Sequence, residues 1–207
     1  MAHRRPPLMR ALLLNTAVLV VEIAAGIGSH SFSLIMDGVH NLSDEVALVF
    51  LVLAYSLRVG LSGRLLRSAN LFNSIGLLVI CGFLVWQVAE RLAHPVHVLG
   101  LVPVVAGLVG AAGNWGVARV LREASKEDVA IRLAYVHNLG DTLVSLIPVG
   151  AGILIFVSGN FLFDSLFALF IAIVVAITTL RAIIGSHEEL LWPENVSCGH
   201  PTREPTH

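Results

Sequence analysis

Charge is scarce in this sequence. Only 13% of its 207 residues are Asp, Glu, Lys or Arg, about half the share in a soluble domain, which excludes a water-facing globular fold for most of the chain. The net charge is −1, so there is no basic excess to hold a nucleic acid. Cysteine is nearly missing: Cys81 sits in an apolar run and Cys198 close to the C-terminus, which supports no disulfide framework. No HExxH is present, which removes the common helical zinc-protease arrangement. Arginines precede the first apolar segment, but no small-residue cleavage site leads into a soluble mature domain. An uncleaved first membrane helix is therefore expected instead of a signal peptide.

What the sequence has in quantity is apolar length: 56% of it is hydrophobic, with a mean hydropathy of +0.84. A membrane-spanning helix needs about 20 mainly apolar residues. Six runs qualify, at 9–27, 32–57, 70–92, 98–119, 129–157 and 162–185. Their connections are too short for an inserted soluble domain. Of the thirteen Lys and Arg, all but Arg91 fall before or at the start of span one, between two and three, around the four-to-five connection, or at and beyond span six. The positive-inside rule then predicts an all-α, multi-pass cell-membrane protein of six transmembrane helices with both termini cytoplasmic. The predicted division is a six-helix transmembrane domain over 1–185 and a short cytoplasmic tail over 186–207, too short for a core of its own.

Spans two and five carry charge in their middles, and they carry the same pattern. His-Asn-Leu-Ser-Asp at 40–44 returns as His-Asn-Leu-Gly-Asp at 137–141. On a helix, residues four apart share a face, so each copy offers one imidazole and one carboxylate on one side. Ionisable groups at membrane depth are costly, which makes them functional candidates. At 1.5 Å per residue, His40 and Asp44 lie about 12 and 18 Å from the outer end of their span, and His137 and Asp141 at similar depths from the inner end of theirs. Antiparallel spans meeting near the midplane would bring His40 level with Asp141 and Asp44 level with His137. Two imidazoles and two carboxylates suit a tetrahedral divalent metal such as zinc. A catalytic zinc keeps one position for water; four protein ligands leave none, which favours transport over hydrolysis.

The run Val-Glu-Ile-Ala-Ala-Gly-Ile-Gly-Ser-His-Ser-Phe-Ser-Leu-Ile-Met-Asp-Gly-Val-His-Asn-Leu-Ser-Asp at 21–44 resembles the first-to-second helix signature of the cation diffusion facilitator family. Ala-Tyr-Val-His-Asn-Leu-Gly-Asp-Thr-Leu at 134–143 resembles that family's fifth helix. The resemblance covers the whole six-helix region. It implies a homodimeric exporter of divalent metal, proton-coupled, in a bacterial inner membrane, with His40, Asp44, His137 and Asp141 at the transport-site positions. Zn2+ would be the transported substrate, with Cd2+ or Co2+ as alternatives, and H+ the coupling ion. Most members continue into a cytoplasmic ferredoxin-like domain. The resemblance therefore predicts a short form whose dimer contacts rest on membrane helices. The histidine-rich loop common in zinc members is not matched, since 123–128 reads Glu-Ala-Ser-Lys-Glu-Asp.

Other polar residues carry narrower expectations. Asp37 shares the face of His40 and Asp44 and matches a family aspartate; it is read as lining an exit path or bonding to a ligand, or as a helix-start hydrogen-bonding group. Glu22 matches a family position and is expected to pair with a neighbouring helix more than to bind metal. Glu45 points about 100° away from Asp44 and would line the cytoplasmic mouth. Asn73 and Asn114 are expected to hydrogen-bond between helices, and Asp164 to cap the last one. Gly107, Gly110, Gly113 and Gly116 form a small-residue stripe, for packing within the bundle before a dimer contact. His94 and His97 are read as solvated loop histidines, and the tail's His187, Cys198, His200 and His207 as solvated groups or a metal-acquiring arm.

Overall fold

The structure, a computed structural model, describes residues 5–56 and 63–185; the predicted tail at 186–207, with its histidines and Cys198, lies outside them. Those residues fold as helices α1 Arg5–Ser29, α2 Phe32–Ser56, α3 Gly63–Ala93, α4 Leu101–Leu121, α5 Val129–Val144, α6 Leu146–Ser158 and α7 Leu162–Gly185, with a 3-10 turn at Ala124–Lys126. No strand occurs among the described residues. Five stretches are long and apolar enough to cross a membrane: α1, α3, α4, α7 and the joined α5–α6. The 25-residue α2 completes the bundle; it carries Asp37, Asp44 and Glu45 and packs against α1, α3 and α7.

The fifth span differs from the single helix expected at 129–157. It breaks at Ser145 into α5 and α6. Pro148 is the cause: its ring excludes the carbonyl of Val144, and it has no N–H to bond there. The break is accommodated by α4. Gly107 lies so close that a Cβ on it would stand 2.9 Å from the Ser145 carbonyl oxygen. Farther along α4, Gly110 and Gly113 receive the side chains of Glu22 and Val18 from α1. The glycine stripe thus seats α1 and α6 inside the bundle.

The α1–α2 turn is tight. Ser31 N–H donates to Gly26 O at 3.0 Å and His30 N–H to Ile27 O at 3.3 Å, the paired closure that ends a helix through a left-handed residue. His30 takes that conformation, with φ of 59°, where glycine is usual. The free N–H groups opening α2 are met by Asp164. Its Oδ2 accepts from Phe32 N at 2.6 Å, and its Oδ1 from Ser33 N at 3.2 Å and from the Ser31 and Ser33 hydroxyls at 2.6 Å each. Asp164, expected to cap its own helix, caps α2 from across the bundle. Beside it, Arg91 stacks on Phe32 at 3.5 Å and donates to the His30 carbonyl.

The solvent sets which surface is apolar. Phe72, Phe156 and Val157 are 77–81% exposed, a distribution suited to lipid, while Glu22, Asn41 and Asn114 are fully buried. Two apolar clusters occupy the ends of the bundle. One gathers Met36, Val39, Leu84, Val88, Ile171 and Val175 from α2, α3 and α7. The other gathers Leu8, Leu48, Leu51, Val117, Leu121 and Ile131 from α1, α2, α4 and α5. On α2 the first ends at Val39 and the second begins at Leu48, and the polar segment between them carries His40 and Asp44.

Candidate metal site between α2 and α5

The four repeated residues meet. Helical spacing puts His40 and Asp44 on one face of α2, and His137 and Asp141 on one face of α5. The pairs then cross over: His40 Nε2 is hydrogen-bonded to Asp141 Oδ1 at 3.0 Å, and His137 Nε2 to Asp44 Oδ1 at 2.7 Å. Within each helix the histidine lies farther from its own aspartate, at 3.9 Å for His40–Asp44 and 3.8 Å for His137–Asp141. The cross-level pairing expected of antiparallel spans is the pairing observed. One potential ligand atom from each residue lies within 4.8 Å of the other three. A tetrahedral zinc with ligands near 2.0 Å needs ligand–ligand edges of about 3.3 Å, so sub-ångström to one-ångström shifts close the cage.

Burial around the site is uneven. The side chains of His40, Asp44 and Asp141 are 11%, 7% and 5% exposed, against 51% for His137. The imidazole rings stand 5.7 Å apart and tilted by 68°, so neither stacks over the space between them. Asp44 Oδ2 and Asp141 Oδ2 are buried without hydrogen-bond partners. Buried carboxylate oxygens left without partners beside two imidazoles are what a cation would use.

Asn41, the residue after the first histidine, ties the site to the bundle. Its Nδ2 donates to Glu22 Oε2 at 2.5 Å, its Oδ1 accepts from Asn114 Nδ2 at 3.5 Å, and its carbonyl accepts from Asn15 Nδ2 at 3.2 Å. Asn114 also donates to Ser145 Oγ at 3.1 Å, at the break between α5 and α6. Glu22 thus pairs with a neighbouring helix, as expected. Asn73 and Asn114 also bond between helices, Asn73 donating to Ser43 Oγ at 2.8 Å. Glu45 faces α1, where Oε1 accepts from Thr16 at 2.5 Å and Oε2 from Asn15 at 2.9 Å. Asp37 lies more than one turn inside α2, which rules out a helix-start role, and is 1% exposed with both oxygens unpartnered. His94 and His97 are exposed, with His97 against Phe161 at 4.6 Å between ring centroids. The sequence reading missed Asn41, Asn15 and Ser145 as members of this network. The available signal was polarity in an apolar span, and for Asn41 its recurrence as Asn138.

Residues 8–191 match the cation efflux transmembrane domain. The chain belongs to the cation efflux family. This is the cation diffusion facilitator family of the sequence resemblance, and its members are multi-pass membrane proteins. Among curated proteins the chain is similar to the "Zinc transporter ZitB" of Escherichia coli (strain K12), 30% identical over 193 residues, covering 89% of this chain and 62% of that protein. It is 26% identical over 178 residues to the "Cadmium, cobalt and zinc/H(+)-K(+) antiporter" of Bacillus velezensis, covering 81% of this chain and 57% of that protein. With the "Metal cation efflux system protein CzcD" of Cupriavidus metallidurans it shares 25% identity over 189 residues, 87% of this chain and 60% of that one. The chain spans about three fifths of the length of these relatives. Family and topology together make it a multi-pass protein of the bacterial inner-membrane type.

Proposed function

We propose that this protein exports a divalent cation, zinc before others, in exchange for protons, by alternating access around His40, Asp44, His137 and Asp141. The observation that carries this reading is the crossed pair of His–Asp hydrogen bonds joining α2 to α5. Each uses the Nε2 that would ligate metal, so a proton on that nitrogen and a metal ion compete for the same lone pair. Charge balance favours the exchange. Two protonated imidazoles beside two carboxylates carry no net charge, and neither do two neutral imidazoles, two carboxylates and a divalent cation. Swapping one set for the other leaves the buried charge unchanged, which matters where an unbalanced charge is costly.

In the proposed cycle both termini face the cytoplasm, since Arg10, Arg119, Arg122, Lys126, Arg132 and Arg181 crowd that end and Arg91 stands at the other. Metal enters from the cytoplasm, the site reopens outward, and protons reaching the histidines expel it. The family resemblance supports a homodimer as the working unit. Because the α4 glycines are used within the bundle, its contacts fall to other membrane helices. In proteoliposomes holding a pH dye, zinc flux should be matched by opposing proton flux and fall steeply in His40→Ala and Asp141→Ala. Near-normal proton-driven flux in either variant overturns the four-ligand site.

The second reading keeps the mechanism and changes the ion. A nitrogen–oxygen set discriminates poorly among zinc, cadmium and cobalt, and one relative carries cadmium and cobalt in its name. Offering the ions in turn to the same vesicles ranks them. A metal sensor or a membrane hydrolase would bind metal without counterflow of protons, and the same assay separates both.

A further inference from the structure

Behind the metal site lies a second pair of acids. Glu22 of α1 and Asp37 of α2 stand side by side where these helices cross closely. A Cβ on Gly38 would approach Ile23 to 2.7 Å and the Glu22 Cβ to 3.4 Å. Adjacent acids alone would say little. Here, however, Glu22 is 0% and Asp37 1% exposed, and three of their four oxygens, Glu22 Oε1 and both of Asp37, have no hydrogen-bond partner. Only Glu22 Oε2 is met, by Asn41.

No Lys or Arg among the described residues is ion-paired with either acid. The charged or titratable groups facing the pair are Asp44 toward Glu22, and His40 and Asp141 toward Asp37, with the Ser145 hydroxyl nearby. From α4 come only Asn114, which bonds to the same Asn41 and Ser145, and Gly110, where any Cβ would overlap Glu22 Oε1. Two ionised carboxylates enclosed in this way would repel each other without solvent to relieve them.

We infer that Glu22 and Asp37 form a proton-binding site separate from the four-ligand metal site, holding one proton between the two carboxyls. An O–H on one acid directed at an oxygen of the other gives partners to two of the three orphan oxygens. The pair then carries one negative charge, which the Asn41 amide meets. The glycine at 110 gives the carboxyl its room against the α4 backbone. This site does not depend on the transport reading: a chain that moved no metal would still hold the proton.

The test is infrared hydrogen–deuterium difference spectroscopy on the full chain in lipid nanodiscs, comparing the wild type with a Glu22→Gln/Asp37→Asn double variant. A protonated-carboxyl C=O band should be present in the wild type, both without metal and at zinc saturation, and missing from the double variant. Carboxylic-acid absorption identical in the two proteins overturns the proposal. Should the double variant fail to fold, single variants decide. In Glu22→Gln an amide N–H replaces the acid O–H and the pair keeps its single charge, so zinc Kd should stay within about twofold. Glu22→Ala leaves Asp37 buried without a donor and should melt lower by about 5 °C or more. Equal melting losses in the Gln and Ala variants would also refute the shared proton.

Discussion

The two copies of His-Asn-Leu-x-Asp are nearly identical in sequence and unlike in surroundings. The α2 copy is held on several sides: Asn41 bonds to α1 and α4, Ser43 to Asn73 of α3, and His40 is 11% exposed. The α5 copy sits on α4 and meets the rest of the bundle through its ligands. The Asn138 side chain bonds only within its own helix, donating to the Ala134 carbonyl at 2.9 Å, and its Oδ1 is buried without a partner. Gly140 has nothing within 4 Å of where a Cβ would be, and His137 is 51% exposed. One repeat is therefore walled in by its neighbours, and the other has open space beside it. The alternating access proposed above would use that asymmetry, because a cage rigid on both sides could bind metal but not change the face it opens.

The largest test of the comparison lies where the copies should be equal. Asp44→Ala and Asp141→Ala each remove one of the four proposed ligands, and each should weaken zinc binding by about 100-fold or more, read by calorimetry in detergent. Unequal losses would mean that one helix alone holds the ion. The asparagines come next, where the copies should differ. Asn41→Ala strips partners from Glu22 and Asn114 and should cost about 2 kcal/mol in thermal or denaturant unfolding. Asn138→Ala, losing one bond within its own helix, should stay within about 0.5 kcal/mol.

Chemical access gives a further contrast. Acylation by diethyl pyrocarbonate should reach His137 several-fold sooner than His40, with zinc protecting both; mass spectrometry of the peptides shows the order, and His40 reacting first would reverse the assignment of the open wall. The smallest effect is expected from exchanging the one residue by which the motifs differ. Gly140→Ser enters open space and replaces a poor helix former, so it should be neutral or stabilise by about 0.5 kcal/mol. Ser43→Gly loses the Asn73 bond and should destabilise by about 1 kcal/mol.

Much of the site was legible because helical period and membrane depth are both one-dimensional. Four-residue spacing put each His above its Asp, and counting residues from the span ends put the two pairs level. Polar residues in apolar spans were readable as interhelical partners, and for Glu22, Asn73 and Asn114 that is what they are. The choice of partner was not readable. Asp164 opens α7 and so looked like its cap, yet the free N–H groups it satisfies belong to α2. Glu45 looked toward the cytoplasmic mouth because helix geometry says only that it turns away from Asp44; the structure turns it to Asn15 and Thr16 of α1. Pro148 did signal a break, but the uninterrupted hydropathy of 129–157 concealed it.

What the sequence determined by itself is the set of apolar spans, and the two His–Asp pairs with their cross-level pairing. These follow from local period and from the free energy of placing charge in lipid, and both act residue by residue. Tertiary structure alone decided which repeat is walled in and which is open, and that Glu22 and Asp37 share one enclosure. Identical five-residue motifs acquire different environments only through the helices packed beside them, and no local pattern encodes those neighbours.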